Sequence, residues 1–132
     1  GFMAEFGIHG DPWVNAAWRQ ATMQDEPVRK PNHRGRVSFS KNQPNTRTVQ
    51  VFINTDDNSS LNGQGFSPFG EVVEGMEVVD ALYSGYGESP TRGGEGVYQA
   101  MALAKGDEYL NEEFPLLDRI DRAVIVEDGE AG

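Results

Sequence analysis

The segment Val49–Asn54 places large side chains on both faces of a predicted β-strand, and this pattern limits the folds open to the chain. Successive residues of a strand point to opposite faces, so the segment has one aliphatic face and one mixed face. The two faces are Val49, Val51 and Ile53 against Gln50, Phe52 and Asn54. Such a strand needs an apolar core on one side and a surface lined by large side chains on the other.

Three other segments have strand character. Arg34–Ser40 alternates apolar and polar residues after Gly35, and Phe66–Val73 is extended in character. Arg122–Val126 contains an uninterrupted run of aliphatic residues, which predicts a strand buried on both faces. The 16 Gly and seven Pro residues indicate many turns, so the composition favours a loop-rich β protein over a helical bundle.

Short helices are predicted after the segment Phe66–Val73. Apolar residues spaced along one face indicate a helix from Met76 to Leu82, because side chains three or four positions apart share one side of a helix. A second helical region, Tyr98–Leu110, is interrupted by Gly106. We therefore expect it to form two pieces.

The chain of 132 residues is long enough for one domain with a hydrophobic core. We interpret residues 1–127 as that domain, with a Gly-rich insertion at 88–106, and residues 128–132 as an acidic tail. The first residues, Gly1-Phe2-Met3, have the composition of a strand leaving a core. We therefore expect the chain to begin inside a fold.

Charge is unevenly distributed along the chain, whose net charge is −10. Seven of the 11 basic residues lie between Arg19 and Arg47, whereas residues 107–130 hold nine acidic residues and two arginines. We interpret both stretches as solvated faces, although the basic one could meet an acidic partner. Phosphate binding depends on clustered Lys and Arg, so the acidic balance argues against nucleic acid as the main partner.

Residues for nucleophilic, metal or redox chemistry are sparse. The absence of Cys excludes disulfides and thiol catalysis. His9 and His33 match no metal-binding spacing, and Asp56-Asp57-Asn58 lacks the spacing of a calcium loop. We therefore predict neither a metal site nor a cofactor. No apolar stretch approaches the roughly 20 residues needed to span a bilayer, so we predict no membrane span.

Five stretches of the chain carry a distinctive combination of residues: Gly1–Met3, Phe6–Pro12, Arg34–Phe39, Pro44–Asn54 and Phe69–Met76. In that order and spacing they resemble the cyclophilin family of peptidyl-prolyl cis-trans isomerases. The resemblance covers nearly the whole chain, but only the later two thirds or so of the family's domain. It implies a mostly β fold, an antiparallel β-barrel with short helices that is incomplete at its N-terminus. The first strands, the first helix and the family's catalytic arginine are expected before Gly1.

The resemblance also implies six substrate-binding positions. They are Phe2, Met3, Phe52 and Leu61, which match the lining of the family's proline pocket, Gln50, which matches a glutamine that hydrogen-bonds substrate backbone, and Glu5, which replaces a second such glutamine. The alternation of Val49–Asn54 independently places Gln50 and Phe52 on the same face. The alternative for Phe2, Met3 and Phe52 is ordinary packing in the core.

Several residues depart from the family's pattern around this groove. Ser40-Lys41-Asn42 replaces Ala-Asn-Ala, Ser60 stands where a tryptophan is common, and Phe66 or its neighbours occupy the stretch of a groove histidine. Together with Glu5, these replacements predict a divergent groove.

Prolyl isomerisation fits a chain without nucleophile, metal or cofactor. The rotation barrier of an ordinary peptide bond is about 18–20 kcal/mol, and a catalyst lowers the barrier by binding the twisted amide better than either planar form. The predicted function is therefore a cyclophilin-type isomerase that assists folding by binding X–Pro segments of peptides and proteins. The alternative is a catalytically impaired, cyclophilin-like subunit that binds or supports a larger assembly. The sequence leaves the compartment open.

Overall fold

A computed structural model describes residues 1–127, and the predicted acidic tail at 128–132 lies outside them. The described residues form one antiparallel sheet of four strands and four α-helices. The strands are β1 (Met3–Phe6), β2 (Arg36–Phe39), β3 (Val51–Asn54) and β4 (Pro68–Glu71). The helices are α1 (Pro12–Trp18), α2 (Met76–Asp80), α3 (Gln99–Lys105) and α4 (Asp107–Glu113). Two 3-10 turns lie at Ser59–Leu61 and Pro90–Arg92.

The sheet has the strand order β1-β3-β2-β4, which places β3 and β2 in its centre. The three strands predicted before residue 80 are confirmed, each shorter than its sequence pattern. The register pairs Phe52 of β3 with Glu5 of β1 on one side and with Ser38 of β2 on the other. A bulge between Val37 and Ser38 interrupts the pairing of β2 with β4, and such irregularities increase the local twist.

The four strands do not close into a barrel within residues 1–127. The predicted antiparallel sheet with short helices is therefore confirmed, whereas the predicted barrel, incomplete at its N-terminus, is not. Four strands are fewer than the roughly eight that enclose an interior just wide enough for side chains to fill.

The strand predicted at Arg122–Val126 is wrong. This segment has no regular secondary structure, all of its side chains are exposed, and Ile125 is 101% exposed. An aliphatic run forms a buried strand only where a sheet edge accepts its backbone and other layers cover both faces. The described residues bring neither to this segment.

Helix α1 was not predicted, although its N-terminal signal is present in the sequence. The Asp11 carboxylate accepts a hydrogen bond from the Trp13 N–H at 2.9 Å, and Pro12 occupies the first helical position, where its missing N–H is not needed. The predicted break in the second helical region is confirmed, because Gly106 separates α3 from α4. The Gly-rich insertion at 88–106 includes the second 3-10 turn and α3.

Gly106 allows a close contact between two distant parts of the backbone. Its φ is 57°, and a Cβ at this position would collide with the carbonyl oxygen of Gly10. That same oxygen accepts a hydrogen bond from the Asp107 N–H at 2.8 Å. A residue with a side chain is therefore excluded at the junction of α3 and α4.

A network of buried amide and hydroxyl groups joins the sheet to the loop at 55–66. Asn32, Ser38 and Asn54 are fully buried, at 0% exposure. The Asn32 Oδ1 accepts from Ser38 Oγ at 2.7 Å and from Asn54 Nδ2 at 3.1 Å. Asn54 Oδ1 accepts from Asn58 Nδ2 at 2.8 Å, and Asn32 Nδ2 donates to Asn62 Oδ1 at 2.9 Å. Because buried polar groups are costly when unpaired, this network determines where the loop lies.

Asn54→Ala should destabilise the chain, because it leaves the Arg36 carbonyl and part of the Asn58 amide unpaired in a buried setting. We expect the free energy of unfolding to fall by about 1–3 kcal/mol, measured by urea denaturation. Asn42→Ala, at an exposed position, is the control and should change it by less than about 0.5 kcal/mol. Equal losses in both variants would contradict a structural role for the network.

Candidate functional site

Three of the six predicted site residues lie on one face of the sheet. Met3, Glu5 and Phe52 share this face, because residues that oppose each other in antiparallel strands point the same way and Glu5 opposes Phe52. Ser38 belongs to the same row from β2. We call these four residues the Glu5–Phe52 face.

The loop at 55–66 covers part of this face. It brings Leu61 into the core at 7% exposure, and the Phe66 ring packs edge-to-face on Phe52 with centroids 5.8 Å apart. Phe52 itself is 1% exposed. The structure therefore places Phe52 and Leu61 in the packed core, as the alternative interpretation of Phe52 anticipated. If this face is a binding site, Phe52 and Leu61 would form its floor.

The more accessible residues of the predicted set surround that floor. Phe2, Met3 and Gln50 are half-buried, and Glu5 is exposed. Gln50 lies one residue before β3, and its backbone carbonyl accepts a hydrogen bond from the Ser40 N–H at 2.9 Å. The Phe2 carbonyl accepts from Asn58 Nδ2 at 2.7 Å, so the backbone before β1 is tied to the buried network.

Glu5 is held by two residues that the sequence analysis did not connect with it. Its carboxylate accepts hydrogen bonds from Ser40 Oγ and from Gln99 Nε2, the latter at 2.8 Å. Ser40 was noted as a departure from the family's pattern, but Gln99, the first residue of α3, was missed. The insertion that contains Gln99 therefore reaches the Glu5–Phe52 face.

Lys41 forms an ion pair beside this face. Its Nζ lies 2.9 Å from Asp25 Oδ2 and 5.7 Å from the centre of the Phe66 ring. Only 10% of the Lys41 side chain is exposed. The hydrogen bond from Lys41 lowers the pKa of the Asp25 carboxyl below its usual value, against the opposing effect of burial. Phe66, Lys41 and Asp25 were not predicted as a unit, since they lie far apart in sequence.

Two concavities of the described residues lie outside the predicted site. The larger, of about 890 Å³, is lined by residues of α1 and α3 and by Thr46, Thr48 and Val49. The smaller, of about 260 Å³, borders β4. None of the six predicted residues lines either of them. The predicted residues therefore form an open face over a packed floor.

Within residues 1–127, no group of three or more His, Asp or Glu side chains could hold a metal ion. His9 accepts a hydrogen bond from the Asp11 N–H at 2.9 Å, within the turn that precedes α1. No helix of this part of the chain is long and apolar enough to cross a membrane.

One family model matches most of this chain. The model of the family described as cyclophilin type peptidyl-prolyl cis-trans isomerase/CLD matches residues 2–102. The match includes all four strands and the six predicted positions. The chain belongs to this family.

Curated relatives of the chain are named peptidyl-prolyl cis-trans isomerases. The chain is 33% identical over 90 residues to peptidyl-prolyl cis-trans isomerase B of Escherichia coli, covering 62% of this chain and 55% of the relative. It is 41% identical over 93 residues to peptidyl-prolyl cis-trans isomerase cyp18 of Streptomyces antibioticus, covering 61% of this chain and 55% of the relative. The chain thus spans about half the length of these relatives.

Asp25→Asn should weaken the pH dependence of the free energy of unfolding in the acid range. Because the folded-state pKa of Asp25 is lowered, its pair with Lys41 contributes fully above the unfolded-state pKa and is lost as pH falls through the folded one. We expect the wild type to lose more unfolding free energy than Asp25→Asn between about pH 5 and pH 2, measured by urea denaturation. Asp121→Asn, at an exposed position, should behave as the wild type. Parallel pH curves for the wild type and Asp25→Asn would contradict this role.

Proposed function

We propose that the whole protein is a peptidyl-prolyl cis-trans isomerase that binds X–Pro segments at the Glu5–Phe52 face and assists protein folding. The observation that carries the proposal is the convergence of Met3, Glu5 and Phe52 on one sheet face, with Gln50 at its end, in a member of the cyclophilin family. The names of the curated relatives support it.

The chemistry of this face suits the reaction. Isomerisation needs an apolar surface for the proline ring and hydrogen bonds that hold the flanking backbone. Met3 and the Phe52–Leu61 floor offer the apolar part, and the Gln50 amide offers both a donor and an acceptor. Holding the flanking residues while the amide twists favours the transition state over either planar form.

The reaction also needs a hydrogen-bond donor close to the prolyl nitrogen. Twisting the amide localises a lone pair there, and a preorganised donor of this kind is worth a factor of about 10²–10³ in rate. In the family the donor is an arginine, and none of the six predicted positions supplies one. We also propose that the four-stranded sheet is part of an antiparallel barrel. The catalytic test therefore uses the whole protein, whereas peptide binding can also be tested with this chain.

Exchange spectroscopy of a short X–Pro peptide tests the proposal. We expect the whole protein to accelerate cis/trans exchange, and Gln50→Ala to reduce the acceleration about two- to tenfold, as expected for one lost hydrogen bond. Gln64→Ala, at an exposed position, is the control and should leave the rate unchanged. Exchange at the uncatalysed rate in a folded sample would refute the activity, and peptide binding without acceleration would favour the non-catalytic alternative.

Phe52→Ala should affect both activity and folding. Truncating a buried phenylalanine costs about 3–5 kcal/mol of stability, so its loss of exchange activity is informative only in a sample that remains folded by circular dichroism. In such a sample we expect a larger loss than in Gln50→Ala. Full activity in folded Phe52→Ala would exclude Phe52 from the site.

A further inference from the structure

Glu5 is a negative charge on the Glu5–Phe52 face that lacks a basic partner among residues 1–127. Its two hydrogen-bond donors, Ser40 Oγ and Gln99 Nε2, are both neutral. The ion pairs of the described residues use other carboxylates: Asp25, Glu26, Asp80 and Asp107. Neutral donors fix the orientation of the Glu5 carboxylate but leave its charge uncompensated.

Two basic side chains that follow Ser40 in the sequence are engaged elsewhere. Lys41 directly follows Ser40, but its Nζ is bound to Asp25 at 2.9 Å and its side chain is 10% exposed. Arg47 lies 3.6 Å from Glu26, and its guanidinium stacks over the Phe39 ring at 5.5 Å. Phe39 follows Ser38 in β2 and therefore points to the opposite face of the sheet. Neither cation is available to neutralise Glu5.

Glu5 also retains unused hydrogen-bonding capacity. An ionised carboxylate can accept about four hydrogen bonds, and the described contacts account for two of them. The residue is exposed, so a ligand can reach the remaining lone pairs. Glu5 opposes Phe52 across β1 and β3, and the Cβ atoms of such pairs lie about 4.5–5.5 Å apart. A peptide bound on this face next to Phe52 would therefore have side chains within one or two residues of the Glu5 carboxylate.

We propose that Glu5 sets a charge preference for the bound peptide, favouring X–Pro segments that carry Lys or Arg close to the proline. This inference rests on the proposed function, since it assumes that a peptide occupies the Glu5–Phe52 face. The preference arises because a cationic side chain gains a charge-assisted hydrogen bond at Glu5, whereas an acidic side chain meets repulsion there.

A peptide panel tests the preference by fluorescence anisotropy. Peptides of one sequence carry Lys, Gln or Glu in turn at each position up to three residues from the proline. At the position nearest Glu5, we expect the Lys peptide to bind about two- to fivefold more tightly than the Gln peptide, which is the range for an exposed ion pair. The Glu peptide should bind more weakly than the Gln peptide. Raising the salt concentration should narrow the difference, because exposed charges are screened.

Two variants distinguish a local effect of the Glu5 charge from an effect of the protein's net charge. Glu5→Gln should abolish the preference for Lys, so that the Lys and Gln peptides bind with similar affinity. Glu77→Gln makes the same change in net charge on α2, which lies outside the sheet, and should keep the preference. Loss of the preference in both variants, or an equal loss of affinity for every peptide in Glu5→Gln, would overturn the inference.

The outcome also distinguishes this inference from the proposed function. Binding of the X–Pro peptides without any charge preference would overturn the role of Glu5 alone. Failure of every peptide in the panel to bind the folded protein would overturn both.

Discussion

The hydrogen-bond network centred on Asn32 and Asn54 ties the loop at 55–66 to the central strands of the sheet. The loop at 55–66 has little regular structure, yet it must place Leu61 and Phe66 against the sheet. Apolar contact alone would allow the loop to slide, because hydrophobic attraction is not directional. Amide groups that need specific partners in a dry interior allow far fewer arrangements. The network therefore defines the register between loop and sheet, and with it the floor beneath the candidate site.

The site combines segments that are remote in sequence. Glu5 comes from β1, Ser40 from the end of β2 and Gln99 from α3. Two replacements that looked unrelated in the sequence form one hydrogen bond, which the hydroxyl of Ser40 donates and the carboxylate of Glu5 accepts. The third member, Gln99, comes from the Gly-rich segment at 88–106, so this segment contacts the candidate site. A glutamine at position 5 would place a neutral amide where Ser40 and Gln99 now hold a charge.

The sequence predicted most of what depends on local periodicity. The alternation in Val49–Asn54 located β3 and separated its two faces, but it did not show that the face of Phe52 and Asn54 is the buried one. Gly106 correctly divided the helical region. It could not locate contacts that depend on how distant segments meet, such as Gln99 with Glu5 or Asp25 with Lys41. The error at Arg122–Val126 has the same origin, because an aliphatic run reports a preference for burial but not whether a partner strand is present. The burial of Phe52 likewise depends on a loop whose path is set by buried amides.

The contact of Gly106 with Gly10 affects which side chains near the candidate site can be replaced in evolution. The junction of α3 and α4 is attached to the loop before α1 through backbone atoms, by the Asp107 N–H and the Gly10 carbonyl. An attachment between main-chain atoms is insensitive to the side chains on the outer surface of α3. Those side chains can therefore diversify while Gln99 keeps its position beside Glu5. The backbone contact between the two glycines therefore fixes the position of α3, so α3 can acquire different exposed side chains without losing its alignment.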